Sequence, residues 1–422
     1  MRADHNRRTF LAASAAGLSL TVGRTGRAAP SERVRVAVIG LRSRGYDHSK
    51  MFAANSQCEV VAVCDVDDAM FAKPVKAVES SGGKAPRVEK DFRRLLDDKT
   101  IDAITIATPD HWHALLTVRA CQAGKDVYVE KPASHNVVEG RRMVEAARKY
   151  DRVVQLGTQR RSTPHVQEGI EHVQSGSIGK VSMARAWCHQ KRVSIGHGHE
   201  AAVPPGVEYA MWQGPAPDRP YYSNRLHYNW HWFWHWGTGE LGNNGIHGVD
   251  VARWGLGADA PLTVTSAGGK FFFDDDQETP DTQIATWEFP HACLVCEHRI
   301  WSDHPSDGSL FGVAFLGDKG TLVIDDKGWR VEQGDGAKGP RRDEGQAKHV
   351  QNFLDCVKSR QRPSADIETG HLSTRLCLMG NIAQRTGKKL TFDAATESFH
   401  DPAADALLAR EYSSRFEMPS HV

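Results

Sequence analysis

Residues 33–65 read RVRVAVIGLRSRGYDHSKMFAANSQCEVVAVCD. The apolar opening up to Ile39 reads as a buried strand, Gly40 to Gly45 as a tight turn, and the stretch after it as a helix. Val60 to Cys64 reads as a second strand that ends in the acid Asp65. This order is that of a dinucleotide-binding βαβ unit. Gly40 ends the first strand where the chain must turn sharply, and Gly45 lets the helix pack close to the sheet. Asp65 lies 20 residues after Gly45, where a carboxylate can accept hydrogen bonds from a ribose diol. Val66, Asp67 and Asp68 follow it. With no arginine or serine there, three acids repel a 2′-phosphate, so the reading favours NAD over NADP. The middle glycine of G-x-G-x-x-G is replaced by Arg42, whose guanidinium must swing aside or pair with a phosphate.

Moving outward, the β and α patterns keep alternating. A short helix with Phe92, Leu95 and Leu96 on one face precedes an apolar strand, Ile101 to Ala107, which runs into Thr-Pro-Asp-His-Trp-His at 108–113. A helix is expected from Ala114 to Ala123. Strand Val127 to Val129 runs into Glu130-Lys131-Pro132, a helix spans 138–150, and a further strand covers 153–156. The fold class is therefore α/β, with an N-terminal Rossmann doubly wound parallel sheet over residues 33–157. Beyond residue 160 strand-like segments dominate, at 181–189, 263–273, 283–289, 292–300, 311–316 and 321–324. They predict a second, α+β domain over 158–422 with an open, mainly antiparallel sheet. Residues 192–220, rich in Gly, Pro and His, read as an ordered functional loop. Amphipathic helices at 349–358 and 370–386 are expected to pack back on the body.

At 422 residues the chain has room for two domains. Its 53 basic and 52 acidic residues leave a formal charge of +1, so no single-sign field favours nucleic acid or a membrane surface as obligate partner. Residues 1–29 read as an export signal. Arg7-Arg8-Thr9-Phe10-Leu11 is a twin-arginine pattern, Leu11 to Val22 is apolar but too short to span a bilayer, and Ala28-Ala29 is a small-residue exit. The expectation is Tat export, a periplasmic or extracytoplasmic location, and no stable membrane association after signal removal. The eight cysteines are scattered and suggest no disulfide framework. Cys293 and Cys296 fall on opposite faces of a strand.

Three constellations carry chemistry. Lys131 ends a parallel strand on the side where such sheets bind ligands, and Pro132 stiffens the turn behind it. Beside a nicotinamide's positive charge its ammonium should lose proton affinity and could relay a substrate hydroxyl proton. In Gly242-Asn-Asn-Gly-Ile-His-Gly-Val-Asp250, Gly242 or Asn243 would cap a helix. Asn243 and His247, four apart, would then share a face, with His247 a candidate general base. The third is His227-Tyr-Asn-Trp-His-Trp-Phe-Trp-His-Trp236, with tryptophans at every second position from 230. On an extended segment, indoles line one face and could stack on a sugar, with histidines opposite. On a helix, His227, His231 and His235 would form an i, i+4 stripe, although no acid completes a metal set and no metal is expected. A buried aromatic plug is the other alternative.

Together the glycine turn, Asp65, the Ala-Thr-Pro-Asp-His-Trp-His stretch, Glu130-Lys131-Pro132, Trp212-Gln-Gly-Pro-Ala-Pro217 and Gly242 to Asp250 resemble the glucose-fructose oxidoreductase / inositol dehydrogenase / rhizopine-catabolism (Gfo/Idh/MocA) family, over about residues 33–420. The resemblance implies NAD(P) held by Gly40, Arg42, Gly45, Asp65, Thr108, Pro109, His113, Glu130 and Lys131. It implies a carbohydrate substrate between the domains, met by Trp230, His231, Trp232, His235, Asn243 and Asn244. Lys131 and His247 become the proton-handling pair, and the open sheet a homo-oligomer interface. Many dehydrogenases of that family carry Asp where Asn243 stands. Asn can orient a hydroxyl but cannot take its proton, which shifts work to Lys131 or a neighbour such as Glu240. Three functions follow: an exported NAD(P)-dependent sugar, glycoside or cyclitol oxidoreductase with a tightly held cofactor; an NAD-dependent, redox-neutral glycosidase; or a non-catalytic sugar-binding protein on the same fold.

Overall fold

Strand β1 (Val34–Ile39) is buried on both faces, as a central parallel strand must be. Val36 and Val38 enter one apolar core, and Ala37 and Ile39 enter the other. The structure, a computed structural model, describes residues 33–419 and Val422. The export signal expected at 1–29 lies outside the described residues. After β1 come α1 (Arg44–Ala53), β2 (Cys58–Cys64), α2 (Ala72–Ser80), β3 (Arg87–Glu89), α3 (Arg93–Asp97), β4 (Ala103–Ile106), α4 (Asp110–Gln122), β5 (Asp126–Val129), α5 (Val137–Lys149) and β6 (Val154–Leu156). The six strands pair in parallel, in the order β3-β2-β1-β4-β5-β6. Helix α4 starts at Asp110 rather than Ala114. Pro109 supplies a fixed φ at the helix entrance, and Asp110 puts a carboxylate in the first turn, where the helix dipole favours it.

The chain continues through α6 (Pro164–Gln174), β7 (Val181–His189), α7 (Tyr209–Gln213) and α8 (Ile246–Leu256). It then runs through β8 (Thr263–Gly269), β9 (Thr282–Glu288), β10 (Cys293–Arg299), β11 (Phe311–Gly317), β12 (Gly320–Asp325), β13 (Gly328–Glu332) and β14 (Lys338–Pro340), and closes with α9 (Gly345–Ser359), α10 (Ile367–Thr386) and β15 (Leu390–Thr391). Nine strands form the second sheet, in the order β14-β13-β12-β11-β7-β10-β9-β8-β15. Only the β7–β10 pair at its centre is parallel. The short strands β13, β14 and β15 were not legible as strands, being brief and flanked by Gly, Lys and Asp. One face of this sheet is packed by α6, α8 and α10 through Ile170, Val249, Leu376 and Ile382. Cys293 is half-buried and Cys296 buried, on alternate faces of β10, and every described cysteine is unpaired.

Helix α9 reaches back to the first domain. Val350, Phe353 and Leu354 complete the core formed by Val36, Val38, Phe52 and Tyr128. No helix among the described residues is long and apolar enough to cross a membrane.

Candidate active site

The carboxyl ends of β1, β2, β4 and β5 open on one groove, where ligands of doubly wound sheets bind. Gly40 turns the chain at φ +80°, and a Cβ there would lie 2.7 Å from the Ala107 carbonyl oxygen. A Cβ on Gly45 would overlap the Gly40 carbonyl oxygen, so the glycine permits the close turn without itself bordering the groove. Helix α1 begins without a side-chain cap, and its Gly45 N–H is taken up by the Arg42 carbonyl at 2.9 Å; Arg44, its first residue, borders the groove, where the positive end of a helix favours an anion. Asp65 accepts from the backbone N–H groups of Leu41 (2.7 Å) and Asp67 (3.0 Å). Burial raises its carboxyl against these bonds. The buried Thr108 hydroxyl has no protein partner. A cradle that excludes side chains, an uncapped helix end and a polar atom awaiting a partner fit a bound dinucleotide. Arg42 borders this groove, its guanidinium 6.0 Å from the Tyr228 ring.

Glu130 clamps the turn after β5. Its Oε1 accepts from Arg44 Nε (2.7 Å) and lies 3.0 Å from His48 Nε2. Burial opposes the charge, but Arg44 and His48 outweigh it and hold Glu130 well below the usual carboxylate range. His113 holds the turn from the other side, its ring nitrogens 2.7 Å from the Pro132 carbonyl and 2.9 Å from that of Thr108. Lys131 crosses the groove and donates to the backbone oxygen of Asn243 (2.7 Å) and to its Oδ1 (2.8 Å). Burial pushes its ammonium below the ordinary value, against the pull of Glu130, Asp110 and Glu240.

Neither Gly242 nor Asn243 caps a helix as the sequence suggested. Residues Leu241–Gly245 form a π-helical turn running straight into α8. The wider turn presents the Asn243 carbonyl to Lys131, while His247 follows on α8 and borders the same groove. The His247 Nδ1 is buried without a partner. Burial, aided by Lys131 and Arg160, holds the ring well below the ordinary imidazole range. His247 also borders an adjoining polar chamber with Arg160, His189, Lys191, Asn244 and Asp326.

Of the three alternatives open for 227–236, neither the extended indole face nor the helical histidine stripe forms, and Trp230, Phe233 and Trp236 join Trp212 in a buried aromatic cluster. Asn229–Trp232 is a 3-10 turn, not an extended strand; along the run Phe233 is buried with three of the four tryptophans, while Trp234 stays half-exposed. Trp230 borders the groove and carries His231 stacked at 3.6 Å. Trp232 and Trp236 are buried. Trp232 and His235 lie off the groove, and His235 Nε2 is bound to the Pro217 carbonyl at 2.7 Å. Asn244 is tied to Glu240 and faces the adjoining chamber. The three histidines do not converge either: His227 pairs with Asp67 at 2.7 Å, and no metal-holding group of three or more ligands occurs among the described residues.

Sequence reasoning missed Asp110, Tyr228, Met211 and Trp212, all of which border the groove. Asp110, buried and hydrogen-bonded by Thr238 at 2.7 Å, had a signal: it opens a helix directly after a parallel strand. The other three come from residues 206–236, which lie along the groove. Glu208 N bonds Val66 O (2.9 Å), Asp68 N bonds Gly206 O (3.2 Å), and Trp112 Nε1 bonds Trp212 O (3.0 Å). No local periodicity announces that path.

Residues 34–158 match the model of an oxidoreductase family described as an NAD-binding Rossmann fold, and residues 178–288 and 340–418 match that family's C-terminal alpha/beta domain. The N-terminal domain is thus an NAD-binding Rossmann domain. A glycosyl hydrolase family 109 protein of Stenotrophomonas maltophilia is 37% identical over 131 residues, 29% of this chain and 29% of that protein. Inositol 2-dehydrogenase 2 of Saccharopolyspora erythraea is 29% identical over 226 residues, 53% of this chain and 54% of that protein. The chain thus matches between 29% and 54% of these relatives' lengths. The crystal structure of the WlbA dehydrogenase from Bordetella pertussis, in complex with NADH and UDP-GlcNAcA, superposes with a TM-score of 0.65 at 20% identity, over 86% of this chain and 99% of that one. At that identity the likeness is one of fold.

Proposed function

Since the chain belongs to the Gfo/Idh/MocA oxidoreductase family, we propose that it moves hydride between a tightly held NAD and a hydroxyl-bearing carbon of a sugar, glycoside or cyclitol. One observation carries the reading: a single groove joins the glycine turn and Asp65 to Lys131, Asn243 and His247. Bound NAD would supply the hydride acceptor. The chain's own residues do the rest. Asp65 offers a carboxylate to the ribose, and the N-terminus of α1 offers N–H groups to the pyrophosphate. Lys131 bonds the substrate hydroxyl and passes on its proton, with His247, held neutral, as the acceptor beside it. Asn243 holds Lys131 in line, and the chamber beyond His247 has room for the rest of a polar substrate. Residues 206–236, strapped to β2 and α4 along the groove, support a cofactor retained between turnovers. The acids after Asp65 support NAD rather than NADP. The twin-arginine pattern supports Tat export to the periplasm, and the open face of the nine-stranded sheet supports association between copies.

The similarity to a glycosyl hydrolase family 109 protein favours a second reading of the same groove, a redox-neutral glycosidase. Oxidation beside the C–H to be lost would acidify it, elimination would break the glycosidic bond, and water addition and reduction would restore the sugar.

Denaturing the purified mature protein and identifying released nucleotide by mass spectrometry tests the first claim. Stoichiometric NAD is expected. Aglycone release without net NADH would select the glycosidase; NADH or ketose formation would select the dehydrogenase. A protein that neither carries nicotinamide nucleotide nor binds it on addition would overturn both and leave a sugar-binding protein.

A further inference from the structure

Glu240 sits directly beneath the groove and is 1% exposed. Its Oε2 accepts from Asn243 Nδ2 at 3.2 Å, and its Oε1 from Asn244 Nδ2 at 2.6 Å. Arg192 Nη2 lies 3.4 and 3.5 Å from the two oxygens, and Cys188 Sγ donates at 3.8 Å. The other end of the Asn243 amide, Oδ1, accepts from Lys131 Nζ. A carboxylate only accepts and an ammonium only donates, so the amide between them has one permitted orientation.

We propose that Glu240 is a positioning residue: it orients the Asn243 oxygen toward Lys131 and, one residue removed, provides the negative charge that the ammonium would otherwise find at position 243. The proposal rests on the reading of Lys131 as the proton-handling group. An aspartate at 243 would set two buried carboxylates about 3.2 Å apart, and such a pair retains a proton between them. Asparagine removes that conflict while keeping the contact with Lys131. Glu240 and Asn243 are therefore a matched pair, and replacing either alone unbalances the other.

Other charges around the pair are in place. Lys131 is faced by Glu130, Asp110 and Arg44, with His231 and His247 nearby. Glu240 is faced by Arg192, Tyr228, Cys188 and His298. Arg192 comes from the long loop that follows β7, so this loop supplies the counter-ion that lets a carboxylate stay buried under the groove.

The test follows Lys131 in the protein as purified, labelled with 13C at the lysine ε-carbons. The Lys131 signal is assigned by its loss in Lys131→Arg, and its titration midpoint is read from the 13C shift. Glu240→Gln should lower the midpoint by about half a unit to one unit. Asn243→Asp, nearly isosteric, should raise it, because the carboxylate then touches the ammonium. The exchanged pair Glu240→Gln/Asn243→Asp should return it to the original value or above. A residue that merely anchors the π-turn would lower the melting temperature of Glu240→Gln and leave the midpoint where it was; that result overturns the proposal. Should Glu240→Gln fail to fold, Glu240→Asp, which withdraws the carboxylate by one methylene, is read in its place, and an unmoved midpoint there overturns the proposal equally. The underlying reading fails separately, if Lys131→Arg retains full turnover, because the midpoints report on Glu240 whatever Lys131 does in catalysis.

Discussion

Asp65 is the residue at which cofactor choice is decided. Both its oxygens already accept backbone N–H groups, which aims the carboxylate along the groove beside Arg42. Hydrogen bonds to a charged acceptor contribute about 1.5–3 kcal/mol. Asp65→Ser should therefore weaken NAD binding to nucleotide-stripped protein by roughly tenfold to a hundredfold. With the acid gone and Arg42 in place, NADP should lose far less. Calorimetric titration with both nucleotides checks this, and equal losses would remove Asp65 from the ribose site. Arg42 was legible as a departure from the glycine pattern; that its guanidinium approaches Tyr228 was not, because Tyr228 is 186 residues away in the chain.

Among the elements, the π-turn Leu241–Gly245 does the most for the site. A Cβ on Gly242 would overlap the Thr238 hydroxyl, the group that donates to the buried Asp110. Gly242→Ala should thus displace Thr238, disturb the Asn243 carbonyl under Lys131 and cut turnover by at least about tenfold, or roughly 1.4 kcal/mol in the barrier. Nucleotide content should change little; steady-state rates and released-nucleotide analysis together separate the two effects. The Gly-Asn-Asn-Gly run read as a helix cap; the π-turn that stands there instead is packed against β7, β10 and α10. Helix α9 makes the complementary case. Its apolar stripe was legible, its destination was not. Phe353 is fully buried against Phe52 and Tyr128 of the first domain. Phe353→Ala should cost about 3–5 kcal/mol, read by urea denaturation, and residues 33–157 expressed alone should be poorly soluble because that face loses its cover.

For the whole molecule, distant segments are joined through buried charge. Glu397 receives hydrogen bonds from Arg141 of α5 (3.0 Å) and from His371 (2.9 Å) and Arg375 of α10. Burial opposes its carboxylate, but His371 and the two arginines outweigh this and depress it far below the ordinary value of 4.5. Burial keeps the His371 imidazole below its ordinary value, against the pull of Glu397. Because Glu397 titrates lower folded than unfolded, the folded chain binds fewer protons in the interval between the two values. Its contribution is complete above about pH 4.5 and is lost as the pH falls toward the folded value. Glu397→Gln should lower stability at neutral pH by about 1–3 kcal/mol and flatten the decline on acidification. Denaturation midpoints from pH 7 to pH 3 check both; a parallel decline in the variant would assign acid sensitivity to other carboxylates. A second buried pair, Arg161 with Asp250, is held by three bonds of 2.8–3.0 Å and links the segment between the two sheets to α8.

The parallel sheet, the glycine turn, Asp65 and the Glu130-Lys131-Pro132 turn were legible in the residues alone, because each follows from local rules. Apolar runs that end in glycine make buried strands, and a ligand site forms where such strands end. Equally legible was that Asn243 and His247 lie close together, four residues apart. Long-range packing decided that Lys131 reaches Asn243 across 112 residues, that Glu240 stands behind it, and that residues 206–236 run along the groove. It also decided that most of the tryptophans are packing, since a ring's partner is chosen by what the rest of the chain brings to it. Those contacts join residues far apart in sequence, and their geometry exists only once two sheets and a long loop have packed against one another.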